Sequence, residues 1–303
     1  EKITELDKPT GIKGNELMRS ETTQDARDLI SAGRKNLFIN GALNIAQRGD
    51  SIASGFVYSM DQWYLMNHGS TTTRETSSPP EGFTYYARFA SAGTVIFQQN
   101  LELPKTGDAG YLQGKTVTVS FYARTETNAT AYVFANFRNA AGGGDHTTIF
   151  TGTDEISVLT SSWRRYSRTF TIGVTPHANN KCMAVMIRNP SGQTSGTWEI
   201  AGLQMEFGST ATEFDHRPYA EELALCQRYC VVYGGDDEVH LGTAHAYNSA
   251  NINLSVHVPV PMRAKPSASK VTSGGNWVQA YMGASGNISN ASISVGDSGG
   301  TCK

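Results

Sequence analysis

Residues 115–124 read "KTVTVSFYAR". Val117, Val119, Phe121 and Ala123 alternate with Thr118, Ser120, Tyr122 and Arg124, so an extended chain puts the apolar set on one face and the polar set on the other. The same period of two recurs in "TYYARFA" (84–90), "TAYVFANF" (130–137), "RRYSRTFTI" (164–172), "KCMAVMIR" (181–188) and "TWEIAGLQMEF" (197–207). Turn-forming clusters such as "AAGGGDH" (140–146) and "NPSGQTSG" (189–196) separate these runs. Many short alternating strands from residue 36 to 214 predict an all-β chain, a two-layer antiparallel sandwich whose inner faces form the core. There is no self-similarity at the repeat lengths of solenoids or propellers.

Composition narrows the function. At 303 residues the chain has room for about two domains. A net charge of -2 with 17% charged residues gives no electrostatic footprint for nucleic acid or anionic lipid. No apolar run approaches the roughly 18 residues of a spanning helix, so membrane insertion is not expected. No signal-peptide pattern heads the chain. Cys182, Cys226, Cys230 and Cys302 form no CxxC pair and have no histidine at zinc spacing. They are expected to be free, buried thiols, which implies a reducing compartment during folding.

Four regions follow along the chain. Within residues 1–34, "EKITELDKPTGIKGNELM" (1–18) holds too few apolar side chains for a core. "SETTQDARDLISAG" (20–33) predicts one short helix, capped by Thr22 and ended by Gly33, that needs a partner because two or three turns are marginal alone. Residues 35–217 form the sandwich. At 218–230, "PYAEELALCQRYC" predicts a helix begun by Pro218, with Glu221 and Glu222 near its positive end and Arg228 near its negative end. Tyr219, Leu223, Cys226 and Cys230 line one stripe of it. From 231 to 303 strands return as a small second β domain, with "PVPMRAKPSAS" (259–269) as an edge strand because its prolines cannot donate to a ladder. Glu1 suggests numbering that starts inside a longer product, and "GDSGGTCK" (296–303) reads as a strand just beginning.

Three stretches carry a family likeness: "KNLFINGALNIAQRGDS…DQWYL", "TVTVSFYAR…WRRYSRTFTI" and "GTWEIAGLQMEFGSTATEFDHRPYAEELALCQRYC". Together, over about residues 35–265, they resemble tail fibres and receptor-binding tail proteins of tailed bacteriophages, in which a carbohydrate-binding-module-like jelly roll precedes a small β tip. The junction is the most specific part, and "VPVPMRAKPS" (258–267) resembles the tip strand. Cys230 departs from it, standing where the family usually has an aromatic. The resemblance implies a homotrimeric virion protein of the phage tail, synthesised in the bacterial host cytoplasm. Residues 1–34 would join other phage tail proteins, and the distal end would meet host surface polysaccharide or lipopolysaccharide. The expected function is non-enzymatic adsorption to host glycan; the alternatives are a structural connector that docks a separate adhesin, and a polysaccharide depolymerase.

Glycan binding asks for aromatic rings against which pyranoses pack and planar groups that bond hydroxyl pairs. Opposite the core face of their strands stand Tyr122, Arg124, Tyr132, Asn136, Arg188 and Gln204, which would line one concavity if the sheets pair as in the jelly-roll family. The plain alternative is the wet face of an antiparallel sheet, or a subunit contact. In the second domain Tyr247, Trp277 and Tyr281 sit among Gly/Asn/Ser loops, suited either to recognition or to a small core. Trp63, Trp163 and Trp198 are expected to pack internally.

Catalysis has little to stand on. A depolymerase needs two carboxylates about 5–10 Å apart, and Asp108, Asp154, Glu155, Asp236, Asp237 and Glu238 all fall in predicted loops with nothing to pair them. There is no GxSxG, HExxH, P-loop or GxGxxG motif, so no catalytic residue and no cofactor is expected. His240 and His257 could face each other across a ladder, but surface or subunit contact is the simpler reading. For a structural calcium, Asn40, Asn44 and Asp215 are conceivable donors, without the dense acidic loop of an EF-hand.

Overall fold

The computed structural model describes residues 34–52, 55–67, 71–90, 94–126, 129–140, 143–151, 156–158, 161–189, 197–233, 244–248, 251–254, 256–264, 280–281 and 287–288, the strands at 244–248, 251–254, 280–281 and 287–288 by backbone only. The chain divides into two units between Arg217 and Pro218.

The first unit is an antiparallel jelly-roll sandwich. One sheet contains β1 (Ser51–Ile52), β4 (Thr72–Glu75), β5 (Tyr86–Ala90), β13 (Thr197–Phe207), β7 (Thr116–Thr125) and β11 (Arg164–Thr171), in that order. The other runs β10 (Ile156–Val158), β8 (Ala129–Ala140), β12 (Cys182–Arg188), β6 (Val95–Glu102), β3 (Trp63–Asn67) and β2 (Gly55–Tyr58), with β9 (Gly143–Phe150) also paired to β8. The alternation in the sequence becomes a core between the sheets. Val117, Val119, Phe121 and Ala123 of β7 meet Val133, Phe137, Val185 and Ile187 of the facing sheet, all buried. Trp63 and Trp198 are both core residues, stacked on Phe97 and Phe89.

The loop 36–50 closes one end of the sandwich against a bulge in β13. Register shifts between Ala201 and Gln204, where Gly202 takes a φ of 56°. Gly41 lies so close that a Cβ there would come within 2.1 Å of the Leu203 carbonyl oxygen. Only glycine allows that approach. Asn36 binds the bulge through Nδ2 to Leu203 O at 3.0 Å and accepts Met205 N–H at 3.1 Å. Arg217 donates to the carbonyls of Phe38 and Asn36. The first and last stretches that carry the family likeness are therefore fastened to each other.

In the second unit, α1 (Tyr219–Gln227) follows Pro218 directly, with Glu221 and Glu222 in its first turn. The predicted stripe needs correction. Cys226 is buried, but Tyr219 is 62% exposed, and Glu222 is buried in its place. Two hairpins are described, β14 (Ala244–Asn248) with β15 (Asn251–Leu254), and β16 (Ala280–Tyr281) with β17 (Asn287–Ile288). The expected edge strand at 259–269 is not one over its described part: residues 256–264 form no strand. They are tied instead by Tyr233 Oη donating to His257 O and by Arg263 N–H donating to Arg228 O at 2.9 Å. The predicted helix at 20–33 lies outside the described residues.

Candidate functional site

Strand register assigns the outward side chains to two different surfaces. Tyr122, Arg124 and Gln204 lie on the outer face of the β7–β13 sheet; Tyr132, Asn136 and Arg188 lie on the outer face of the β8–β12 sheet. The core separates the two groups, so the single concavity imagined from parity does not exist.

On the β7–β13 face the chain covers itself. Residues 208–217 leave β13 and fold back over it. Gln204, fully buried, donates through Nε2 to Glu206 Oε1 at 2.8 Å and to Glu213 O at 3.2 Å, and accepts Asp215 N–H at 2.8 Å. Glu206 takes Thr212 N–H at 2.8 Å and its hydroxyl at 2.6 Å. Thr118 donates to Gly208 O. Phe83 anchors the fold-back, packing on Tyr122, Phe214 and His216 at centroid distances of 5.5, 4.9 and 5.3 Å. Arg124 is bonded to Glu199, which also faces Arg88, and lies over Trp163 and Tyr86. Trp163 itself is half-buried and donates to Ser78 O. Gln204 and Arg124 are thus spent on internal contacts.

The opposite face is different in kind. Four rows cross it. One runs Tyr132, Arg188, Ile96, Met66, Phe56; the next, Phe134, Met186, Gln98, Tyr64, Tyr58; then Asn136, Ala184, Asn100; then Arg138, Cys182, Glu102. Neighbouring strands stand about 4.8 Å apart and like-facing residues about 6.6 Å along a strand, a mesh close to the size of a pyranose ring. The centre is sunken: Gln98 and Ala184 are fully buried, while Phe56 at the β2 edge is 53% exposed.

Polar groups here bond along the face. Gln98 Nε2 donates to Asn100 Oδ1 at 2.7 Å, and Cys182 Sγ approaches the same oxygen at 3.7 Å. Asn100 Nδ2, Arg138 Nε and Arg188 Nε are buried with no hydrogen-bond partner. Burial lowers the Arg138 guanidinium below its ordinary range, with Cys182 opposing. Tyr132 and Phe134 stand 6.1 Å apart, and Arg188 lies over both rings at 5.2 and 5.1 Å. Such a surface offers ring faces for apolar sugar faces and planar donors for hydroxyl oxygens. Phe134, Tyr64, Gln98, Asn100 and Arg138 were missed from sequence, although all share the parity of Tyr132 or of each other within their strands.

Of the remaining candidates, Tyr247 and Tyr281 lie on β14 and β16, described by backbone only, and Trp277, His240, Asp154, Glu155, Asp236, Asp237 and Glu238 lie outside the described residues. Asp108 Oδ1 accepts Gly110 N–H. Two of the three calcium candidates have other work. Asn40 accepts Ile45 N–H and donates to the carbonyls of Ile45 and Asp61, and Asp215 accepts Lys35 and Asn36 N–H. Among the described residues no three His, Cys, Asp or Glu side chains group as metal ligands, and no helix is long and apolar enough to cross a membrane. Among the described residues Cys182, Cys226 and Cys230 form no disulfide; Cys226 is buried and the other two are half-buried.

No family model and no curated protein matches the chain. Among solved structures it is similar to the CBM22-1 xylan-binding domain of Xyn10C from Paenibacillus barcinonensis, at 10% identity and TM-score 0.37 over 59% of this chain and 98% of that one. It is similar to TmCBM61 in complex with β-1,4-galactotriose at 12% identity and TM-score 0.34, over 57% and 99%. The enzymatically active domain of tailspike protein 4 from bacteriophage CBA120 is similar at 15% identity and TM-score 0.36 over 57% of this chain, which spans 21% of that one. Strand order and register by themselves define the sandwich.

Proposed function

We propose that the protein is a non-enzymatic adhesin that binds glycan on the outer face of the β8–β12–β6–β3 sheet. The observation that carries this reading is the set of buried donors without acceptors, Asn100 Nδ2, Arg138 Nε and Arg188 Nε, set among Tyr132, Phe134 and Tyr64. A buried donor left unbonded costs about 1–3 kcal/mol. Three lie along one face, where small side-chain turns on binding would bring them to a ligand rich in hydroxyl oxygens.

The sequence likeness at 196–230 supports a tail fibre or tail-tip protein of a phage virion, made in the bacterial host cytoplasm. It would be assembled as a homotrimer and attached to other tail proteins through residues 1–34. In this reading residues 35–217 bind host surface polysaccharide or lipopolysaccharide, 218–230 connect, and 231–303 form a tip in which Tyr247, Trp277 and Tyr281 add contacts. Three copies per fibre would turn weak individual sites into firm adsorption through effective concentration. A preformed sheet face suits the task because little order is lost on binding.

The test is a bacterial-glycan array probed with wild-type protein and with Phe134→Ala/Asn136→Ala. Binding by the first and not by the folded second is expected. Absence of binding by wild type favours the connector, and reducing-end release from a bound polysaccharide would establish the depolymerase.

A further inference from the structure

Resting on that reading, we infer that the glycan is acidic and that Arg188 receives one of its oxyanions, a carboxylate or a phosphate. Three other arginines of the first unit lie over aromatic rings and each also holds a carboxylate: Arg48 over Tyr58 with Asp61 at 3.0 Å, Arg74 over Tyr85 with Asp50 at 2.6 Å, and Arg124 over Trp163 with Glu199. Arg165, over Tyr122, bonds Ser120 Oγ at 2.9 Å. Arg188 has the rings, Tyr132 and Phe134, without the oxygen. Its Nε is buried and has no acceptor, and no described carboxylate lies within ion-pair distance.

Among the described residues, the row it occupies, between Tyr132 and Ile96, contains no acidic side chain. The fourth row does: Arg138 and Glu102 flank Cys182 there. The face is therefore polarised along its strands, cationic and aromatic at the Arg188 end and mixed in charge about 20 Å away, six residues at about 3.3 Å each. A half-buried guanidinium with no counter-charge among the described residues is a cost that those residues do not recover. Cation–π contact holds its plane, and a planar fork of donors fits a carboxylate or phosphate through two parallel hydrogen bonds. A sugar ring bearing the anion would meet Tyr132 and Phe134 alongside.

The experiment is an array of bacterial capsular and O-antigen polysaccharides, each acidic polymer printed beside its carboxyl-reduced or dephosphorylated form, which also separates the two oxyanion sources. Wild-type protein is expected to bind an acidic polymer at least tenfold more tightly than its neutralised form. Arg188→Gln should abolish that preference while its melting midpoint stays at the wild-type value, and Arg188→Lys, which keeps the charge without the fork, should restore only part of it. Equal binding of acidic and neutralised polymers, or a preference that survives Arg188→Gln, overturns the inference. If neutral polymers bind and Phe134→Ala/Asn136→Ala abolishes it, the glycan-binding reading stands and the acidic specificity falls. Binding to nothing on the array overturns both.

Discussion

The two outer faces of the sandwich are built from similar residues and end in opposite states. On the β7–β13 face, Gln204, Glu206 and Thr118 are buried and bonded to residues 208–215 of their own chain. On the β8–β12 face, Gln98 and Asn136 are buried and Asn100 is half-buried, and the bond from Gln98 to Asn100 runs along the face itself, while Asn100, Arg138 and Arg188 keep buried donors without acceptors. Arg165 Nε on the first face is a like exception, beside a guanidinium that does reach Ser120. Composition alone does not separate a sealed polar surface from one kept for a ligand. The difference lies in whether the chain supplies the missing partners.

That contrast can be broken or sharpened by substitution, beginning with the greatest effect. Gly41→Ala forces a Cβ into the Leu203 carbonyl and should destabilise the first unit by about 3 kcal/mol; chemical denaturation with an unchanged midpoint would show that the loop 36–50 is not seated on the bulge. Gln204→Ala strands Asp215 N–H and should cost about 2 kcal/mol, with glycan affinity unaltered in protein that remains folded. Tyr132→Ala/Phe134→Ala should do the reverse. Calorimetric titration is expected to show at least a tenfold loss of affinity, about 1.4 kcal/mol, with stability held within about 1 kcal/mol. Arg124→Gln is the mildest, since Glu199 keeps Arg88: stability should fall by about 1 kcal/mol, and adsorption should not change. A specific loss of binding in Arg124→Gln would move the site to the other face.

Much of the fold was legible because one face of each strand must be dry. Alternation predicts a strand over 197–207, which is β13, and Trp63 and Trp198, expected to pack internally, lie in the core. Strand β6, "VIFQQNLE", is not legible from alternation, because Gln98 and Gln99 are adjacent and hide the period. Gln99 points inward, where its amide mimics a backbone pair: Oε1 accepts Ile39 N–H and Nε2 donates to Ile39 O, both at 2.7 Å. The helix stripe failed at Tyr219 and Glu222 for a related reason, since tertiary surroundings decide burial for a helix this short.

Half of the site was legible in the same limited sense. Parity shows that Tyr122 and Tyr132 both point away from the core, and it is silent on which sheet each belongs to. That depends on β7 pairing with β13 and β8 with β12, contacts between residues more than 40 positions apart. The fold-back of 208–217 was likewise invisible, because "GSTATEFDHRP" carries no periodicity. Its bonds to Gln204 and Glu206 exist only once β13 is in place.

Hydrogen–deuterium exchange with and without a saturating array-identified polysaccharide tests the central claim most directly. Protection on binding is predicted in 95–102, 129–140 and 182–188, with exchange in 116–125 and 197–217 unchanged. Protection confined to 116–125 and 197–217 would contradict the assignment of the binding face.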